Sequence, residues 1–189
     1  MKIIAFGASY SRDSINKEWA RFVALQISKE SSEVLDLNDF DLPVYTVERE
    51  KNGIPKAVGS FISKLNSADL LVISFAEYNG SYTAGFKNLF DWASVHTLKM
   101  FEGKKLILLS TAPGKRGGRT VLNAAIERFP RHGGEIIGTM TLPNFKENFD
   151  PGTGFKNDPK FIDVVGEGAV CILVLAGVLR SPLSISSSR

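Results

Sequence analysis

Hydroxyl side chains crowd the stretch GASYSRDSINKEW, residues 7 to 19. Ser9, Ser11, Ser14 and Asn16 would set hydroxyl and amide donors beside the unpaired N–H groups of a helix N-terminus, where the helix dipole also favours negative charge. That chemistry is phosphate binding. An ordinary N-cap by Ser14 behind a polar turn accounts for the same letters. The loop lacks the Gly-Lys-Ser/Thr ending of a Walker A motif and the spacing G-x-G-x-x-G, so hydroxyls stand in place of glycine amides. A second stretch, AEYNGSYTAGFKNLFDW at residues 76 to 92, spends Glu77, Tyr78, Asn79 and Gly80 directly after an apolar run. Glycine there permits close approach of a flat ring whose edge backbone groups could read. Tyr78 capping the core and Asn79-Gly80 turning the chain is the simpler alternative. A third, STAPGKRGGRT at residues 110 to 120, is glycine-rich. Its successive amides could form a nest for a ligand that becomes anionic, whereas Lys115, Arg116 and Arg119 taken singly read as solvated charge. No Ser/His/Asp triad, catalytic cysteine or paired carboxylate stands out, and His132 in FPRHGG reads as a helix C-terminal residue. A bound cofactor would have to carry the chemistry.

The elements that must position these loops follow from hydrophobic period. Short apolar runs at Ile3 to Phe6, Val34 to Leu37, Leu70 to Phe75, Leu106 to Leu109 and Ile136 to Leu142 read as strands. The third and fourth are apolar almost throughout, as parallel strands covered on both faces are. Between them, Ile15, Trp19, Phe22, Val23 and Ile27 share one helical face. Val58, Phe61, Ile62 and Leu65 share another, as do Phe86, Leu89, Phe90 and Ala93, and then Leu122, Ala125, Ile126 and Phe129. Gly133 and Gly134 end the fourth helix. Strict alternation predicts an α/β, three-layer, flavodoxin-like doubly wound five-stranded parallel sheet of order 2-1-3-4-5. Ligands of such sheets bind outside the carboxyl ends of the strands at the switch point, which selects the loops after Phe6, Phe75 and Leu109.

The 189 residues, 43% hydrophobic and 23% charged, suit one domain spanning 1–189. The net charge of +3 is scattered, which does not imply nucleic acid. The single cysteine, Cys171, excludes an internal disulfide, and His96 and His132 are too few for a Cys/His metal cluster. MKIIAFGA lacks the longer apolar stretch of a signal peptide and reads as the first strand, so a reducing cytoplasm is the expected location. AVCILVLAGVL, residues 169 to 179, is apolar on every side yet too short to span a bilayer. It reads as a buried or oligomer-facing helix or an altered terminus, followed by a flexible tail at 180–189.

At these residues the chain resembles the NADPH-dependent FMN reductase family, flavodoxin-like proteins that include quinone, azo-dye and chromate reductases. The family's first loop, G-S-x-R-x-x-S-x-N, is matched by Ser9, Ser14 and Asn16. Its second motif, close to P-E-Y-N-x-S-x-P-G-x-L-K-N-x-I-D-W, is matched by Glu77, Tyr78, Asn79, Ser81, Lys87, Asn88, Asp91 and Trp92, with Gly85 one place after the motif's glycine. The similarity runs from residue 1 to about residue 150. Departures are Ala8 for glycine, Ser11 for the phosphate-binding arginine with Arg12 one place late, Ala76 for proline, Ala84 in the proline–glycine step, and Phe86 for leucine. The resemblance implies that Ser9, Ser11, Arg12, Ser14, Ile15 and Asn16 hold the FMN phosphate. Glu77, Tyr78, Asn79 and Gly80 would line the isoalloxazine. Residues 110 to 118, among them Ser110, Thr111, Ala112, Gly117 and Gly118, would face its pyrimidine side.

The implied activity is hydride transfer from NADPH or NADH to FMN and then, by a ping-pong scheme, to a quinone, azo compound, metal oxyanion or free flavin. A flavodoxin-type carrier without a nicotinamide site and a flavin-free binding module are the alternatives. The first loop disfavours the carrier, because flavodoxins usually place a Thr/Ser-x-Thr-Gly-x-Thr pattern there. Family members assemble with flavins near subunit interfaces, implying a homodimer or homotetramer. Lys87 precedes Asp91 by one turn, the less favourable orientation for a pair within one helix, which would leave each free to reach another subunit.

Overall fold

Ile3–Ala8 and Leu70–Phe75 are buried at every position, a state that a strand reaches only when both faces of its sheet are covered. The computed structural model describes residues 1–156 and 163–165 and covers them with helices on either side. The chain runs β1 (Ile3–Ala8), α1 (Ile15–Ile27), β2 (Ser32–Leu35), α2 (Val47–Lys51), α3 (Lys56–Asn66), β3 (Leu70–Phe75), β4 (Glu77–Tyr78), β5 (Ser81–Tyr82), α4 (Ala84–His96), β6 (Lys105–Thr111), α5 (Arg119–Arg128), β7 (Glu135–Leu142), α6 (Phe145–Asn148), β8 (Phe149–Asp150), β9 (Gly154–Phe155) and β10 (Asp163–Val165). The five parallel strands lie in the order β2-β1-β3-β6-β7, the expected flavodoxin-like arrangement. β10 extends the β7 edge in antiparallel register, Val164 opposite Met140.

Alternation along the strands divides the core in two. Ile4, Phe6, Leu71, Ile73, Phe75, Leu106 and Leu108 pack under α3, α4 and α5. Ile3, Ala5, Leu70, Val72, Ile107 and Leu109 pack under Trp19, Ala20, Val23 and Ala24 of α1, with Met140 and Phe149 beside them. Phe22, Phe149 and Phe155 surround the Trp19 ring at centroid separations of 5.2 to 5.9 Å, so the β8–β9 hairpin is fastened to α1 by edge-to-face aromatic contacts.

Boundaries differ from the sequence expectation in places. β2 begins at Ser32 and stops at Leu35, because the Asp36 carboxylate accepts from Asn38 N (2.9 Å) and winds Leu37–Asp39 into a 3-10 turn. α5 ends at Arg128, a 3-10 turn carries the chain through Phe129–His132, and left-handed Gly133 (φ 92°) closes it. His132 is therefore at a C-terminus as expected, but buried. Among the described residues no helix is long and apolar enough to cross a membrane. The segment 169–179, Cys171 and the tail 180–189 lie outside the described residues.

Candidate functional site

Close backbone approach builds the first part of the site. A Cβ at Gly7 would run into the backbone of Asn16 and Lys17, so the first turn of α1 lies directly on the end of β1. Ser14 is the N-cap, its Oγ accepting from Lys17 N at 3.2 Å. The amides of Ile15 and Asn16 precede the first closed turn and have no intrahelical acceptor. Ser9 Oγ accepts from Ser11 N at 3.1 Å. Both hydroxyls thus act as acceptors inside the loop and keep their hydrogens for an incoming anion. Lys17 turns away: its Nζ lies 2.8 Å from Asp36 Oδ2, and that bond, with those from Asn38, holds the Asp36 carboxyl down at about 2.

Asn16 joins the strand ends. Its side chain, 2% exposed, donates from Nδ2 to Thr111 O (3.1 Å) and accepts at Oδ1 from Thr111 N (3.1 Å) and Ser74 Oγ (2.7 Å). One amide group therefore fixes the start of α1 to the end of β6 and to β3.

After β3 the chain forms a two-residue hairpin, β4–β5, with positive φ at Asn79 (53°) and Gly80 (74°). This is the type I′ turn for which Asn-Gly is favoured. The turning role read for Asn79-Gly80 is therefore correct, while Tyr78 does not cap the core, being 57% exposed. Glu77 has a role the sequence did not suggest. Its Oε2 accepts from Val121 N at 3.0 Å, capping α5, whose own N-cap, Gly118, has no side chain to do so. Thr83 caps α4 by accepting from Phe86 N (3.3 Å) and also donates to Ala8 O (3.1 Å), tying the hairpin to the first strand. The Tyr10 ring underlies α4 where a Cβ at Gly85 would come within 2.6 Å of it. Tyr10 donates to Phe40 O (3.0 Å), and burial pushes its phenol up to about 12.

The third loop departs from expectation. Its amides do not all face inward: Thr111 N is bound to Asn16, and Gly117 N turns back to Gly114 O at 3.1 Å. Gly114 O and Ala112 O also accept from Asn144 N and Phe145 N, which anchors the loop on the start of α6. Gly117 packs against the Pro143 backbone, and Gly118 against Ser110.

A cleft of about 190 Å³ gathers the three loops, lined by Ser9, Ser11, Ser14, Ile15 and Asn16 from the first, Glu77 and Tyr78 from the second, and Thr111 and Ala112 from the third. Pro113, from the expected 110–118 segment, and Asp13 and Ala76, to which no binding role was assigned, complete the lining. Asp13 could have been noticed as the one acid within SRDS. Arg12, Asn79, Gly80, Ser110, Gly117 and Gly118 lie outside it. Arg12 is exposed to solvent. The hydroxyls of Ser9 and Ser14 and the open amides of α1 are a donor set suited to a phosphate, the terminal group of FMN.

Lys87 and Asp91 are not left free, since Lys87 Nζ contacts both Asp91 carboxylate oxygens at 2.6 and 2.7 Å within α4. The flexible lysine stem overrides the unfavourable order. Both line a larger hollow of about 430 Å³ between α4 and α5, with Tyr82, Phe90, Ser94 and Arg128. Among the described residues no group of three or more His, Cys, Asp or Glu side chains could hold a metal ion.

Relatives are found both by sequence and by structure. A quinone reductase of Escherichia coli (strain K12) is 27% identical over 165 residues, 81% of this chain and 87% of that protein. An NADPH:quinone oxidoreductase of Arabidopsis thaliana is 32% identical over 124 residues, 64% of this chain and 62% of that one. The solved structure of a flavoenzyme NAD(P)H:(acceptor) oxidoreductase from Paracoccus denitrificans shares the fold, with a TM-score of 0.69 at 19% identity, covering 94% of this chain and 97% of that one. The family model described as NADPH-dependent FMN reductase matches residues 1–146. The chain accordingly belongs to the NADPH-dependent FMN reductase family, enzymes that use FMN as cofactor and NAD(P)H as electron donor.

Proposed function

We propose that this chain, acting as one domain in a reducing cytoplasm, transfers electrons from NAD(P)H to a small acceptor such as a quinone, azo compound, metal oxyanion or free flavin. The observation that carries the reading is the convergence of the three loops on one cleft outside the ends of β1, β3 and β6. FMN, when bound, supplies the redox chemistry. Ser9, Ser11 and Ser14, with the amides of Ile15 and Asn16, hold its phosphate, and Arg12 adds charge from the solvent side. The hairpin at Glu77, Tyr78, Asn79 and Gly80 positions the ring edge. Thr111 and Ala112 flank the pyrimidine side, with Ser110, Gly117 and Gly118 from the same loop next to them in the assignment. Residues pinned by Asn16 and Glu77 need no rearrangement to do this, so the chain contributes placement rather than a proton. Donor and acceptor take turns at this cleft, and steady-state plots against both should give parallel lines.

The hollow beside Lys87 and Asp91 supports a second subunit docking there, to give a homodimer or a dimer of dimers. Light scattering at micromolar concentration tests this, and a strict monomer would count against it. The functional reading is tested by anaerobic titration of the FMN-loaded protein with NADPH and NADH while following flavin absorbance. Bleaching by a nicotinamide without any acceptor is expected. Bleaching by dithionite alone would indicate an electron carrier, and failure to take up FMN a binding module.

A further inference from the structure

Tyr10 stands between two residues that line the cleft, Ser9 and Ser11, yet does not line it itself. Its side chain packs instead against the half of the core that lies under α3, α4 and α5. The ring fills the space that a side chain at position 85 would need: a Cβ there would come within 2.6 Å of Cδ2 and 3.1 Å of Cε2. The hydroxyl donates to Phe40 O at 3.0 Å. That carbonyl belongs to a fixed residue, since Phe40 is buried, its ring meets Phe61 edge-on at 5.3 Å and its N–H is bound to Leu37 O at 3.0 Å. Burial, with the Asp41 carboxylate adding to it, pushes the phenol up to about 12, so the hydroxyl stays a donor at any pH near neutral. The backbone before it is fastened as well, Ala8 O accepting from Thr83 Oγ1 (3.1 Å) and Ser9 N–H turning back to Gly7 O (2.8 Å). Charge does little at this end of the cleft. Lys17 is spent on Asp36, Arg12 is exposed and outside the lining, and Asp13 is within it. Recognition of an anion here depends on where hydroxyls and amides point, and hydrogen bonds weaken steeply with misalignment.

We infer that Tyr10 is a positioning residue for the phosphate end of the cleft: pinned between Gly85 and the Phe40 carbonyl, it turns Ser9 and Ser11 toward a flavin phosphate and so sets the preference for FMN over riboflavin. The inference rests on the flavin reading above. Ser11 N–H closes onto Ser9 Oγ at 3.1 Å across Tyr10, so a shift of the Tyr10 backbone moves both hydroxyls together. Gly85 is the other half of the arrangement. Alanine is the better helix former, and at this position in α4 it is the Tyr10 ring that stands in the way of a methyl group.

The test titrates the FMN-free full chain with FMN and with riboflavin, following flavin fluorescence, in the parent, Tyr10→Phe, Tyr10→Leu, Gly85→Ala and the Tyr10→Leu, Gly85→Ala pair. Riboflavin carries the same ring and side chain without the phosphate, so it reports on everything except the phosphate end. Tyr10→Phe, which keeps the ring and loses the bond to Phe40 O, should weaken FMN about fivefold and riboflavin less than about twofold. Gly85→Ala should weaken FMN about tenfold in the parent, where the methyl group displaces the ring, and less than about twofold in the Tyr10→Leu background. Equal losses of FMN and riboflavin overturn the inference and leave the flavin reading standing, because they would make Tyr10 a support of the fold alone. Additive losses in the pair, or a Tyr10→Phe variant that binds FMN like the parent, overturn it in the same way. A parent that binds the two flavins alike removes the phosphate site and the role of Tyr10 together. A parent that binds neither overturns the flavin reading as well.

Discussion

Replacing Asn16 with alanine should damage the fold more than any other single change in the cleft lining. The side chain satisfies Thr111 N–H and Ser74 O–H, both at buried residues, and its own Nδ2 is spent on Thr111 O. Alanine leaves two buried donors without acceptors, each costing about 1–3 kcal/mol, so about 4 kcal/mol in all is expected. For a chain of this size that corresponds to a fall in Tm of about 10 °C. Scanning calorimetry and urea unfolding on the FMN-free protein measure it without involving the cofactor. Asn16→Asp sharpens the test. A carboxylate there would face Thr111 O, whereas a protonated carboxyl can donate to it. The aspartate's folded pKa is then raised above its unfolded value, so the deficit relative to the parent at the same pH should be smaller at pH 4 than at pH 7. If Asn16→Ala melts within about 2 °C of the parent, the three bonds do not hold the loops together and the positioning argument is wrong.

Ser14→Ala should cost about 1 kcal/mol through loss of the α1 cap and weaken FMN about tenfold, read by urea midpoint and by fluorescence titration; unchanged affinity would remove Ser14 from the phosphate site. Glu77→Ala should lower stability by about 1 kcal/mol by uncapping α5, whereas Glu77→Gln, which keeps an acceptor, should lose less than half of that; equal losses would show that the charge matters and the bond does not. His132 is held below its usual pKa of 6.5, first by burial, with Arg128 and Lys99 adding to the depression against the opposing bond at Leu98 O. Its Nδ1 lies 2.7 Å from Leu98 O and Nε2 is buried without a partner among the described residues. Because the folded state binds the proton less readily than the unfolded chain, stability should be unaffected above about pH 6.5 and decline below it. His132→Gln should flatten that decline in urea midpoints, and a parallel decline in both proteins would assign the pH dependence elsewhere.

The strand order and the three site loops were legible because they depend on local period and on a general rule about sheet ends. Asn79-Gly80 was equally legible, since the turn type demands those residues. Glu77 was not, because its partner is an amide 44 positions away whose helix starts with a capless glycine. Asn16 read as a phosphate ligand for the same reason: nothing near it in sequence announces Thr111 and Ser74. The Lys87–Asp91 pair forms within α4 in spite of its order because a whole i,i+4 interaction is worth only about 0.2–0.5 kcal/mol, so the orientation preference inside it is too small to keep the two side chains apart. β2 was placed two residues late because Asp36 and Leu37 look extended until the Asp36 cap is seen.

The bond between Asn16 and Thr111 spans 95 residues, and this separation governs how the protein is made. Parallel pairing of β1 with β3, and β3 with β6, joins Ile3 to Leu70 and Leu70 to Lys105. Each closure spends loop entropy before any contact rewards it. During synthesis the first loop leaves the ribosome early but has no frame to sit on until Thr111 has emerged. A nascent chain halted before that residue should not retain FMN. The cofactor can therefore act as a reporter of completed folding, taken up only once both ends of the bond exist.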